Sequence, residues 1–173
     1  MTTQPTQGHD GPYPTPIVVT GRSVLPEWID YNGHMNVAYY GLAFDNAIDQ
    51  MFDDHIGNGE VYVRAAAQGM FVLQSNMQFL QELRLGQVFS VSFQLIDHDT
   101  KRLHFWSEIL LDGQVCATQE VLAMHVDLTT KRSAVFPDWL QRRLARLQAD
   151  HATLARPERL GAKLGIRRGR APS

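Results

Sequence analysis

The segment Trp28-Ile29-Asp30-Tyr31-Asn32-Gly33-His34-Met35-Asn36-Val37-Ala38-Tyr39-Tyr40 concentrates groups that can do chemistry. A carboxylate, a glycine turn, a histidine and an asparagine stand directly before a stretch with helical periodicity. The first turn of a helix carries unbonded N–H groups and a positive dipole end, which can stabilise a developing oxyanion. A carboxylate beside it can act as nucleophile or general base. Together these make a minimal acyl-transfer site that needs no metal. The same residues also satisfy a plain helix entry, with Asp30 holding the turn and Asn36 capping the helix. His34 can orient Asp30, donate to a substrate carbonyl, meet a phosphate or simply brace the turn. Asn36 can cap or orient water.

Such a site must be held by a helix and whatever covers it. Tyr40, Phe44, Ala47, Ile48 and Met51 recur at helical spacing after Asn36, and Gly57 with Gly59 ends the run. A strand precedes it at residues 17–24. Strands follow at 70–80 or from as early as Val61, then around Phe89, Val91, Phe93 and Leu95, which alternate with polar residues, and at 103–111 and 115–126. Asp112-Gly113 is a hairpin signal between the last two. Residues 127–133 read as a polar loop and 136–148 as a second, amphipathic helix. One long helix among strands that do not alternate with helices predicts an α+β fold with a large antiparallel sheet, whose open edges favour oligomerisation. Residues 1–16 read as a flexible leader, 17–150 as one domain and 151–173 as a basic, partly disordered tail.

A net charge of −2 supplies no global field for nucleic acid or anionic membrane. The lone cysteine, Cys116, fits a reducing, cytoplasmic setting. No Gly-x-Ser-x-Gly elbow, zinc-spaced ligand set, P-loop or dinucleotide fingerprint occurs. The expectation is a protein without metal or other cofactor.

The pattern Asp-x-x-Gly-His-Met-Asn-x-x-Tyr resembles that of the hotdog-fold acyl-CoA thioesterases of the 4-hydroxybenzoyl-CoA thioesterase type. Arg84-Leu85-Gly86, the run from Asp97 to His104, and His125-Val126-Asp127-Leu128 are similar to the betainyl-CoA thioesterase branch linked to carnitine catabolism. The resemblance implies a sheet wrapped around the long helix, pairing into a homodimer or homotetramer, and active sites at the subunit interface. It makes Asp30 the catalytic carboxylate, Gly33 the turn glycine and Val37 the residue whose N–H polarises the thioester carbonyl. Many relatives carry a second Asp two positions before the first; Trp28 stands there, which leaves Asp30 as the single carboxylate.

An acyl-CoA substrate then assigns further residues. Trp28, Gly33, Met35, Tyr39, Tyr40, Gln74 and Gln119 are the expected substrate-lining set, with Gln119 or Glu120 positioning water. A quaternary ammonium would be held by aromatic faces and a carboxylate, for which Trp28, Tyr31, Tyr39, Tyr40, Phe44, Trp106, Asp45 and Asp49 are available. Lys101, Arg102, Lys131 and Arg132 are candidates for the CoA phosphates. A hotdog hydratase or dehydratase built on an Asp30–His34 pair and a non-catalytic acyl-CoA-binding module are the competing readings.

Overall fold

The computed structural model describes residue 5 and residues 7–166. Strand β1 (Ile17–Ser23) leads through a short 3-10 turn to helix α1 (Val37–Met51), which runs on as a wider π-type turn over Phe52–Ile56. Gly57, at φ 86°, ends it as the composition predicts. A second helix, α2 (Glu60–Ala66), follows, then β2 (Gln68–Phe79), β3 (Val88–His98), β4 (Arg102–Leu111), β5 (Gln114–Asp127), the short β6 (Arg132–Ser133) and α3 (Asp138–His151).

The sheet is antiparallel with order β1-β3-β4-β5-β2, and β6 adds to the end of β5. Register shifts at Val19/Arg22, Val72/Gln74 and Leu95/Asp97 mark bulges, which bend and twist strands and here help the sheet curl around α1. The inner face is apolar: Phe93, Phe105 and Val121 are buried with Phe44, Ile48 and Met51 of α1. Phe52 meets Phe93 and Phe105 edge-on. The α+β expectation holds, as a long helix wrapped by a curled sheet with a shorter C-terminal helix.

Three expectations need correction. The segment near Val61 is helical. The Asp53 carboxylate accepts the N–H groups of Glu60 and Val61 at 3.2 and 3.3 Å, which starts a helix where β-branched residues suggested a strand. The polar loop at 127–133 contains the two residues of β6. The N-terminal segment is docked from Gln7 onward. Arg143, buried on α3, donates to Asp10 at 2.7 Å and to the carbonyls of Gln7 and Ile56 at 2.8 Å. Tyr13 is also buried, and its N–H donates to Asp150. Gly57 is packed so closely that a Cβ there would stand 2.3 Å from the Gln7 carbonyl oxygen.

Beyond α3 the chain crosses the outer face of the sheet. Gln94 donates to the Ala155 carbonyl, Arg159 to Gln78 and Asn76 to the Ala162 carbonyl, while the Gly161 N–H donates to Glu120. Of the basic tail, Arg156, Arg159 and Lys163 are described; Arg167, Arg168 and Arg170 lie outside the described residues.

The opposite edge is different. Among the described residues β2 pairs only with β5, and Phe71, Val72 and Leu73 on it are 52%, 60% and 52% exposed. A long apolar edge with unpaired backbone groups is a template for another strand.

Candidate active site

The turn that presents Asp30 is built by its own backbone. Ile29 bridges Met35, the Asp30 N–H donates to the His34 carbonyl at 3.1 Å, and the Gly33 N–H returns to the Asp30 carbonyl at 3.0 Å. Gly33 sits at φ 80°, a conformation that glycine adopts without strain. The Met35 N–H donates to the Leu83 carbonyl, and the Leu83 N–H donates to the Tyr40 hydroxyl. The turn is thereby tied to the chain between β2 and β3.

The Asp30 carboxylate accepts from the Asn32 N–H at 2.8 Å and from Asn36 Nδ2 at 3.2 Å. Asn36 also caps α1: its Oδ1 accepts from the Ala38 N–H at 3.0 Å, and its backbone carbonyl accepts from the Tyr39 N–H. Both roles weighed for Asn36 thus meet in one amide, except that it orients the carboxylate rather than a water. The Val37 N–H is left without a partner among the described residues, and Val37 is exposed. An oriented carboxylate and an open helix-start N–H therefore adjoin.

The ring of His34 approaches the Met35 carbonyl at 3.4 Å, and only its backbone carbonyl bonds to Asp30. Trp28 is buried and stacks on Tyr39 at 5.7 Å. Met35 and Tyr40 are core residues. Gln119 lies on the inner face, where its Nε2 donates to Ser75 and its register partner is Met77. Gln74 lies on the outer face, because the bulge after Val72 shifts it into register with Leu122. There it lines a hollow of about 960 Å³ with Asp97, His98, His104, Glu120 and the C-terminal segment. Glu120 also points outward, bonded to His104 at 2.8 Å, away from Asp30.

The expected phosphate ligands lie far from Asp30 within one chain. Lys101 and Arg102 are at the turn that ends β3, whereas Asp30 adjoins the loop that begins it. Arg102 pairs with Asp99, and Lys131 and Arg132 belong to the β5–β6 turn at that same far end. Among the described residues no group of three or more His, Cys, Asp or Glu side chains could hold a metal, and no helix is long and apolar enough to cross a membrane.

Residues 24–144, spanning the turn, α1 and the sheet, match the thioesterase-like superfamily. The chain belongs to that family. This thioesterase is 38% identical over 145 residues to the betainyl-CoA thioesterase of Pseudomonas aeruginosa, covering 83% of the chain and 91% of the relative. It is 31% identical over 155 residues to a Rhizobium meliloti L-carnitine dehydrogenase/betainyl-CoA thioesterase, covering 88% of the chain but only 31% of that longer protein. Among solved structures it resembles a Staphylococcus aureus protein in complex with CoA (TM-score 0.80, 30% identity, 88% of this chain and 96% of that one). A putative thioesterase from Pseudomonas putida matches with TM-score 0.76 and 28% identity, over 88% of this chain and 98% of that one. The hotdog fold and acyl-CoA thioester hydrolysis go with that membership.

Sequence reasoning passed over Ser107, fully buried on the inner face between Phe105 and Ile109. A serine among the otherwise apolar inward positions Leu103, Phe105 and Ile109 was the available signal.

Proposed function

We propose that this thioesterase hydrolyses small acyl-CoA esters, betainyl-CoA foremost, to the free acid and CoA. The observation that carries the reading is the double use of Asn36. By capping Ala38 and holding Asp30, it leaves a carboxylate aimed beside the Val37 N–H, which is open among the described residues. The thioester carbonyl oxygen accepts from the Val37 N–H, and the helix dipole favours the charge that develops there. Asp30 either attacks the carbonyl carbon, expelling the CoA thiolate and leaving an anhydride for water to open, or takes a proton from the attacking water. His34 serves the turn through its backbone. The betainyl assignment rests on the 38% identity to the P. aeruginosa enzyme.

The site is completed by a second copy. Two β2 edges pairing antiparallel would bury Phe71, Val72 and Leu73. They would also bring the far end of one sheet, with Lys101, Arg102, Lys131 and Arg132, beside the Asp30 turn of the other. The phosphate ligands then act across the interface of a homodimer, alone or within a homotetramer. A cytoplasmic location agrees with the single, buried Cys116 thiol.

The test is thiol release from a panel of acyl-CoA esters by the wild-type chain and the Asp30→Asn variant. A folded variant should lose at least a hundredfold in kcat. Wild-type rates from it would reject Asp30, and tight CoA-ester binding with no thiol release by the wild type would favour a binding module.

A further inference from the structure

We infer that the chain just beyond Ala162 is an arm for a second copy of this protein, with Leu164 and Ile166 closing over the partner's Phe71 on the outer face of the paired sheets. This rests on the β2 pairing proposed above and goes beyond it. It gives the seam between two copies a latch on the side of the sheet away from α1.

The path of the segment is the first observation. It is pinned to β3 through Gln94, to β5 through Glu120 and then to β2, where the Asn76 side chain donates to the Ala162 carbonyl at 2.7 Å. The hold on β5 is firm. Glu120 accepts from the Gly161 N–H at 2.6 Å and is itself fixed by His104 at 2.8 Å. β2 is the last strand of the sheet, so the segment has arrived at the open edge. There Lys163 and Leu164 line the outer hollow with Gln74, Ser75 and Asn76. Residues 163–166 are exposed throughout. Leu164 and Ile166 are, with Tyr31, the most exposed large apolar residues described. A single bare aliphatic residue is ordinary, but two alternate ones beside an apolar edge form a patch that calls for cover.

Phe71 is the second observation. It is in register with Met124, and Gln74 is in register with Leu122, two residues away on β5 and on the same face. Phe71 therefore projects from the outer face, as Gln74 does. An added strand satisfies the backbone of an edge but leaves much of a ring that stands off the face in water.

Two-fold pairing joins the two. The exposed run on β2 is residues 71–75, with Leu73 at its middle. Two such runs paired antiparallel about Leu73 set Phe71 opposite the partner's Ser75 and diagonal to the partner's Asn76. Cross-strand neighbours of that kind have Cβ atoms about 5 to 8 Å apart. Asn76 is where each arm reaches its own edge. Leu164 and Ile166 of one copy thus come within side-chain reach of the partner's Phe71, on the same outer face, and the contact occurs twice by symmetry. Removing these apolar side chains from water drives the closure.

The test uses the full chain. The double variant Leu164→Asp with Ile166→Asp should raise the dimer dissociation constant at least tenfold, read by sedimentation over a dilution series. Phe71→Cys combined with Leu164→Cys, or with Ile166→Cys, should give a covalent dimer on mild oxidation, and the single-cysteine variants should not; Cys116 is buried and does not compete. An unchanged dissociation constant overturns the inference. So does the absence of a covalent dimer from both cysteine pairs, or their closure within one chain. Leu73→Lys separates the arm from the pairing beneath it. A dimer that survives Leu73→Lys rejects the paired edges, and the arm with them. A Leu73→Lys monomer together with an unaffected arm variant rejects the arm alone.

Discussion

Asn36 makes two bonds with one side chain, and substitution can separate them. In Asn36→Ala both go. The cap on the Ala38 N–H is worth about 1 kcal/mol, which in a domain of this size lowers Tm by about 2–4 °C. The bond from Nδ2 to the Asp30 carboxylate is charge-assisted, worth about 1.5–3 kcal/mol if it is realised in the transition state, or about 10- to 150-fold in rate. Asn36→Asp keeps a capping oxygen, and a carboxylate suits a helix N-terminus, so Tm should stay near that of the wild type. It nevertheless replaces the donor facing Asp30 by a like charge, which repels the carboxylate from its place. The rate should fall. Thermal melts and rates of the two variants, measured together, decide the matter. An Asn36→Asp variant with wild-type rate would refute the claim that this amide orients Asp30. A large loss of Tm in that variant would refute the capping half.

Removing the Arg143 guanidinium with Arg143→Met strands the Gln7 and Ile56 carbonyls; a loss of about 3 kcal/mol, roughly 6–12 °C in Tm, is expected, together with proteolytic nicking between Gln7 and Pro12. Burial lowers the pKa of His55, His125 and His151 below 6.5 in the folded chain. The unfolded chain therefore takes up protons first, so stability is complete above pH 6.5 and declines as the pH falls below it; a Tm that is constant between pH 7.5 and 5.5 would contradict this. Leu73→Lys should turn a dimer into a monomer by light scattering and cost most of the thioesterase activity; an active monomer would reject the shared site.

The turn at Asp30 was legible because it is local. Asp30, Gly33 and Asn36 lie within a few residues, and their turn, left-handed glycine and cap are the geometries their side chains favour. Asp112-Gly113 likewise turns with both residues at positive φ. What was illegible depends on partners distant in the chain or on single-residue shifts. The helix at Glu60–Ala66 starts on a carboxylate seven residues upstream. The docking of Gln7 depends on an arginine 136 residues away. The two glutamines chosen as pocket residues face opposite sides of the sheet because one bulge at Val72/Gln74 inverts the alternation, and no periodicity in the sequence announces that bulge.

The clamp of Arg143 on Gln7, and of Asp150 on the Tyr13 N–H, has a consequence for the order in which the molecule is made. These contacts join residues 136 and 137 positions apart. Closing so long a loop is entropically slow and waits on the rest of the chain. On the ribosome, residues 7–13 lack their Arg143 and Asp150 partners until α3 has been synthesised. Until then the mouth of the sheet at Leu95, whose N–H bonds to His151 in the finished fold, stays unsealed. A nascent chain halted before Asp138 would therefore display the inner apolar face at that end. Such a chain is the form in which chaperones, or another unfinished copy, would meet this protein.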